Sequence, residues 1–212
     1  MKIEALTFNM FGVNTYIVYD ETSKECAIID PGMMNESENS TLSKFIEQNS
    51  LKPVCLINTH LHIDHVLGNG YVTEKYGLTP YSHVADAFLG QRIEQQAAMF
   101  GLPIKAQNIE NSLDLTEDSE IKIGNKTLNI IHVPGHSPGS VVLYCKSDNF
   151  IICGDVLFQR SIGRTDLPGG DYATLINGIQ NKLLSLPDET KVYPGHGPST
   201  TIGEERTFNP YL

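Results

Sequence analysis

Short runs of β-branched and aromatic residues, some alternating with polar ones, open the chain at residues 2–8, 13–19 and 25–30, broken at Gly12 and by the polar turn from Asp20 to Lys24. Side chains on a strand point to opposite faces in turn, so these runs predict a strand meander. The period then lengthens. Leu42, Phe45 and Ile46 fall at i, i+3 and i+4, which predicts a helix over 38–49, followed by the apolar strand Val54-Cys55-Leu56-Ile57. A helical pattern returns after Asp64 and runs through about Tyr76. A second amphipathic helix is predicted over 84–99, with Ala87, Phe88, Ile93, Ala97 and Ala98 on its buried face. Residues 101–118 read as irregular.

From about residue 120 the pattern restarts, with strands near 120–123, 126–133, 139–145 and 150–153, a helix over 172–185, a strand at 191–193 and a tail. Two β-then-α halves of similar length predict an α/β (α+β) architecture of two sheets packed face to face with helices outside. No Gly/Ser linker, low-complexity tract or short repeat interrupts the 212 residues, so one domain spanning 1–212 is expected.

Charge narrows the partners. The formal net charge is −10, with 15 Lys and Arg spread without basic clusters, which argues against a grip on nucleic acid or anionic membrane. No apolar run approaches the roughly 20 residues that span a bilayer. Glu4 and Asn9 stand where a signal peptide would be apolar, and a cytoplasmic protein is expected. Cys26, Cys55, Cys145 and Cys153 lie in apolar stretches without a C-x-x-C pair and read as buried free thiols. Cys153 is two residues from Asp155 and shares its side of the strand if the strand continues regularly.

The chemistry is concentrated in Asn58-Thr59-His60-Leu61-His62-Ile63-Asp64-His65. Neutral imidazole and ionised carboxylate hold divalent transition metals at neutral pH, and His/Asp sites stay open to water where structural zinc sites close with thiolates. Three further candidates follow what read as strand ends: His136 in Pro134-Gly135-His136-Ser137-Pro138-Gly139-Ser140, Asp155 in Cys153-Gly154-Asp155, and His196 in Pro194-Gly195-His196-Gly197. Five His and two Asp are too many for one tetrahedral ion and suit two ions about 3.5–4 Å apart with a shared carboxylate. Gly68, Gly135, Gly139, Gly154, Gly163 and Gly195 read as permits for tight turns. His83 is expected to take no part, and His132 to give at most a supporting hydrogen bond. Arg164 pairs with Asp166 or Asp171, or meets a substrate carboxylate.

The four motifs T-H-L-H-I-D-H, P-G-H-S-P-G-S, C-G-D and P-G-H-G, in this order between residues 58 and 197, resemble those of the metallo-β-lactamase-fold hydrolases. Gly154 to Phe158, Gly163 to Asp171 and the ending Glu205 to Leu212 are similar to the short glyoxalase II-like (hydroxyacylglutathione hydrolase-like) members. The resemblance implies a four-layer αββα sandwich. It puts His60, His62 and His136 on one metal, Asp64, His65 and His196 on the other, and Asp155 between them. Two divalent ions, zinc first and iron or manganese otherwise, would acidify a shared water to give the nucleophile, with Asp64 and Asp155 as the catalytic carboxylates.

Such a centre is cationic and would draw a small anionic substrate. No unclaimed carboxylate or Lys stands at a motif to protonate a poor leaving group, whereas a thiolate, with a conjugate acid near about 8.5, leaves unaided. The implied reaction is hydrolysis of S-(2-hydroxyacyl)glutathione or a related small thioester, with Arg164 as a substrate-binding candidate. T-H-x-H-x-D-H and G-R-T-D also resemble the persulfide dioxygenases, which would use one iron on His60, His136 and Asp155. A lactone or ester hydrolase of the same fold is the third possibility.

Overall fold

The computed structural model describes residues 1–102, 107–109 and 111–212. The opening meander forms as β1 (Lys2–Phe8), β2 (Val13–Tyr19) and β3 (Glu25–Ile29), each antiparallel to the next. Helix α1 (Glu36–Gln48) begins two residues earlier than the periodicity indicates, because Asn35 accepts from the Glu38 amide at 3.1 Å and fixes the first turn there. The chain then runs parallel to β3 as β4 (Lys52–Ile57), passes a short 3₁₀ turn at Ile63–His65, and forms α2 (Asn69–Tyr76).

Helix 84–99 does not form as one piece. It is a 3₁₀ turn at Val84–Asp86 followed by α3 (Ala87–Gly90) and α4 (Ile93–Met99). Two groups are diverted from it: Asp86 is buried as a tertiary acceptor, and the Gly90 carbonyl accepts from Ile109 at 2.9 Å instead of continuing the helix. Strands β5 (Pro80–Ser82) and β6 (Leu113–Asp114) extend the first sheet and escape a pattern search because they are so short.

The second half gives β7 (Glu120–Ile123), β8 (Lys126–His132), β9 (Val141–Cys145) and β10 (Phe150–Gly154), then a small hairpin of β11 (Leu157–Phe158) and β12 (Ser161–Ile162). Helix α5 (Tyr172–Gly178) passes into a wider turn at Ile179–Leu183, matching the helix predicted over 172–185. Strand β13 (Lys191–Pro194) lies parallel to β10. The expected tail contains β14 (Thr200–Thr201) and α6 (Ile202–Phe208), the helix capped where Thr201 accepts from the Glu204 amide.

The sheets have the orders β1-β2-β3-β4-β5-β6 and β14-β13-β10-β9-β8-β7. Their facing sides make a core of Val18, Ala27, Ile29 and Ile57 from the first and Leu128, Ile130, Leu143 and Ile152 from the second. The alternate residues Ile17, Cys26, Ile28 and Leu56 point the other way and bury Leu42, Ile46 and Val72 of α1 and α2. On the far side Val142, Ile151 and Val192 cover Leu175, Ile179 and Ile202. The strand period thus builds the four-layer αββα sandwich. Among the described residues no helix is long and apolar enough to cross a membrane, and all four cysteines are buried free thiols.

Candidate metal centre

All seven predicted ligands meet where strands of both sheets end. The segment Asn58–His65 follows β4, His136 sits in the turn between β8 and β9, Asp155 follows β10, and His196 follows β13. That last segment is tied to the first sheet: the Asn14 amide donates to the Gly195 carbonyl at 2.7 Å, and Asn14 Nδ2 donates to the carbonyls of Pro194 and Gly197. Strand ends carry the chemistry because the sheet holds their positions while the side chains remain free to converge.

Gly154 makes Asp155 available. Its φ of +48° lies in the left-handed region and breaks the side-chain alternation at the end of β10. Cys153 therefore does not share a side with Asp155. Its Sγ lies 3.1 Å from the Leu157 carbonyl in the core beneath α5, which corrects the expectation from a regular strand.

The side chains form three overlapping groups: His60, His62 and His136; His60, His65 and Asp155; and Asp64, His65 and His196. Within each group the possible ligand atoms lie within 4.8 Å of one another. In the first, His136 Nε2 is 2.8 Å from His62 Nδ1 and 3.2 Å from His60 Nε2. In the last, Asp64 Oδ2 is 3.0 Å from His196 Nε2 and 3.6 Å from His65 Nε2. Asp155 spans the cluster, with Oδ1 3.4 Å from His65 Nε2 and Oδ2 3.7 Å from His136 Nε2 and 3.6 Å from His196 Nε2.

Four rings are oriented from behind. The Nδ1–H of His65 donates to Asp30 Oδ2 at 3.0 Å, that of His136 to the Arg164 carbonyl at 2.8 Å, that of His196 to the Phe11 carbonyl at 3.1 Å, and that of His60 to Thr59 Oγ at 3.2 Å. A ring that donates outward from Nδ1 turns the lone pair of Nε2 inward, the tautomer a metal requires. Among the described residues His65 Nε2, His62 Nε2 and Asp155 Oδ1 are buried without a hydrogen-bond partner. Orphaned buried polar atoms are costly. A cation between His65 and Asp155 satisfies both, so the donor set fits divalent ions.

Electrostatics divides the cluster. Burial, then the neighbouring rings His65 and His136, pushes His60 well below the usual imidazole range. Burial followed by His136 takes His62 down to about 3. Both are neutral donors at pH 7. For His65 burial acts the same way, but Asp64, Asp155 and Asp30 outweigh it and raise the imidazole well above its ordinary value, so a metal taking Nε2 must displace a proton there. His196 is raised against its own burial by Asp64 and Asp155. Burial raises Asp64 and Asp155, and the nearby imidazoles, His65 foremost, overcome it and keep both ionised.

Two buried carboxylates escaped the sequence reading. Asp30 accepts from the Thr59 amide at 2.7 Å, Thr59 Oγ at 2.6 Å and His65. It follows β3 in Ile29-Asp30-Pro31-Gly32, the same strand-end and glycine pattern that marked the other candidates, so a signal existed. Asp86 accepts from the Leu61 amide at 3.0 Å, Ser137 Oγ at 2.7 Å and the Gly139 amide at 2.6 Å, joining the His60–His62 and His136 loops. It lay within a predicted helix and carried no motif. His83 is outside the cluster, stacked on His132 at 4.1 Å, while His132 Nε2 donates to the Pro138 carbonyl at 2.8 Å. Arg164 donates through Nε and Nη2 to the two oxygens of Asp166, both at 2.7 Å.

Beside the cluster opens a cavity of about 260 Å³. His62, Asp64, His136, Asp155 and His196 form its floor, with Phe11, Leu89, Met99 and Phe100 among its walls.

A family model for the metallo-beta-lactamase superfamily matches residues 9–196. A relative from Haemophilus influenzae named hydroxyacylglutathione hydrolase GloC is 39% identical, covering 100% of this chain and 98% of its own. The crystal structure of BLEG-1, described as a B3 metallo-beta-lactamase, has a TM-score of 0.88 at 35% identity, covering 100% of this chain and 99% of that one. The crystal structure of TTHA1623 in a di-iron-bound form has a TM-score of 0.87 at 36% identity, covering 99% of this chain and 100% of that one.

Proposed function

Since the chain belongs to the metallo-beta-lactamase superfamily, we propose that its seven convergent side chains hold two divalent ions and that this metallo-hydrolase cleaves small thioesters. One observation carries the reading. Asp155 stands within 3.4–3.7 Å of ring nitrogens of His65, His196 and His136, and its buried Oδ1 has no hydrogen-bond partner. A carboxylate so placed suits a bridge between two ions.

His60, His62 and His136 would hold one ion and Asp64, His65 and His196 the other. Zinc is the first choice, and iron, carried by the TTHA1623 relative, is assayed beside it with manganese. Bound there, the ions supply Lewis acidity and bring the pKa of water toward neutral. The chain's own residues do the rest. Asp30, Thr59 and the carbonyls of Phe11 and Arg164 fix the rings, so no reorganisation is needed as charge develops. Asp64, ionised at the cavity floor, is positioned to take a proton. The apolar walls exclude water from the reacting carbonyl.

A thioester suits the site because no Lys and no further acid lines the cavity among the described residues, and a thiolate leaves without protonation. GloC, by its name, hydrolyses a hydroxyacylglutathione, which is a thioester. The four buried thiols fit a reducing compartment, and we place the reaction in the cytoplasm.

A second reading, oxygen-dependent chemistry at one iron on His60, His136 and Asp155, is favoured by the assembly of that triad too: His136 Nε2 is 3.2 Å from His60 and 3.7 Å from Asp155. Metal analysis separates the two. Two ions per chain, with release of free thiol from a panel of thioesters, supports the hydrolase. One iron with oxygen uptake and no thiol release overturns it.

A further inference from the structure

Among the described residues, the cavity that would receive the substrate is lined by no charged side chain beyond the cluster on its floor and Arg164. Its walls are Phe11, Leu89, Met99, Phe100, Leu167 and Pro168, with Phe11 and Phe100 in edge-to-face contact at 5.4 Å. Gln96 also lines it, but its polar atoms are spent. Oε1 accepts from the Ile63 amide at 3.0 Å, and Nε2 donates to the carbonyls of Leu61 and Leu89 at 3.3 and 3.1 Å.

Arg164 is the one Lys or Arg on the walls among the described residues, and Asp166 takes the Nε–Nη2 edge of its guanidinium with both carboxylate oxygens, largely neutralising its charge. The pair is 57% and 68% exposed, so it is weak enough to open. Opening it does not remove the Asp166 charge, which stays beside any carboxylate that reaches Arg164. The volume, about 260 Å³, lies just under the range of roughly 300–1,000 Å³ that houses drug-sized ligands.

From these features we infer that the substrate body seated in this cavity is uncharged and apolar, a small thioester of a neutral thiol, and that Asp166 withholds Arg164 from carboxylates. The inference rests on the thioester reading above and departs from it in the carrier: glutathione brings two carboxylates and an ammonium, for which the described walls supply no cation other than Arg164, already paired with Asp166. The positive charge of a loaded centre would act at the scissile carbonyl. The rest of the molecule meets aromatic and aliphatic surface, where burial stabilises apolar groups by about 25 cal/mol per Å² and unpaired charge is costly.

The test uses metal-loaded protein and two thioesters with the same acyl group and alkyl thiol leaving groups, S-ethyl thiobutyrate and S-butyrylglutathione. The expected kcat/KM for S-ethyl thiobutyrate is at least tenfold the higher. Asp166→Asn should lower the KM for S-butyrylglutathione several-fold relative to that for S-ethyl thiobutyrate, and Phe100→Ala should raise the KM for S-ethyl thiobutyrate. Equal or greater preference for the glutathione thioester overturns the inference. An unchanged KM ratio in Asp166→Asn overturns the role given to Asp166.

Binding is read separately by titrating thioanisole and S-methylglutathione against NMR signals of the Met99 methyl and the Phe100 ring. Saturable shifts with thioanisole, at least tenfold tighter than with S-methylglutathione, support the apolar site even if no thioester is cleaved, in which case only the thioester reading falls. Tighter binding of S-methylglutathione sinks the assignment whatever the turnover.

Discussion

The imidazole of His65 donates its Nδ1–H to Oδ2 of Asp30 at 3.0 Å, with both residues almost wholly removed from solvent. The same carboxylate holds the Thr59 amide and hydroxyl, and that hydroxyl faces His60 Nδ1. One acid at the end of β3 thus orients a ring in each half of the cluster. Asp30→Ala should weaken metal binding by about 10–100-fold, the usual cost of losing a partner behind a metal-binding histidine. Competition with a chromophoric chelator measures it. Wild-type affinity in a folded variant would show that the rings need no such support.

Asp155 lies within reach of rings from both halves of the cluster. Asp155→Ala should lower occupancy of both positions and abolish turnover, where loss of His196 should spare the first. Metal content per chain by elemental analysis, beside an activity assay, decides this. A variant that keeps two ions and full activity removes the bridge.

How much of this is legible in the sequence differs between the ligands and their supports. Side chains that recur as His-x-His-x-Asp-His and Gly-His beside apolar runs announce metal chemistry, and the β-strand period alone divides Ile28 from Ile29 between helix-facing and sheet-facing cores. Asp86 announces nothing, since a carboxylate on an amphipathic stretch reads as a solvated face, and its acceptors' partners come from residues 61, 137 and 139. The broken helix over 84–99 has the same origin: tertiary hydrogen bonds at Asp86 and Gly90 override local periodicity. Strands of two or three residues, such as β11 and β12, owe their existence to a partner and leave no pattern of their own.

Protonation distinguishes the two halves of the centre. His60 and His62 are held below the usual imidazole range, so metal entering beside them displaces no proton from either at pH 7. His65 and His196 are raised in the metal-free protein, so metal entering there must expel protons. Because a raised pKa favours the protonated ring as pH falls, affinity at the second position should decline on acidification before affinity at the first does. Calorimetry in buffers of different ionisation enthalpy should show greater proton release in one of two binding events. Equal release in both would contradict the assignment of charge.

Asp86 is buried at the crossing of the loops that carry His60, His62 and His136, and its two oxygens meet three donors. Burial pushes its carboxyl above the ordinary value, while the hydrogen bonds from Ser137, Leu61 and Gly139 pull against that rise. Ser137 Oγ has Ser140 Oγ at 2.8 Å as a substitute partner, but among the described residues the Leu61 and Gly139 amides have none of comparable geometry. Asp86→Ala therefore strands two backbone donors and should destabilise the fold by about 3 kcal/mol. It should also weaken metal binding at the first position more than at the second, since Asp86 supports only the loops of His60, His62 and His136. Thermal unfolding of the metal-free protein gives the first quantity and metal titration the second. Equal loss at both positions would mean that Asp86 acts through general stability and not through the loops it joins.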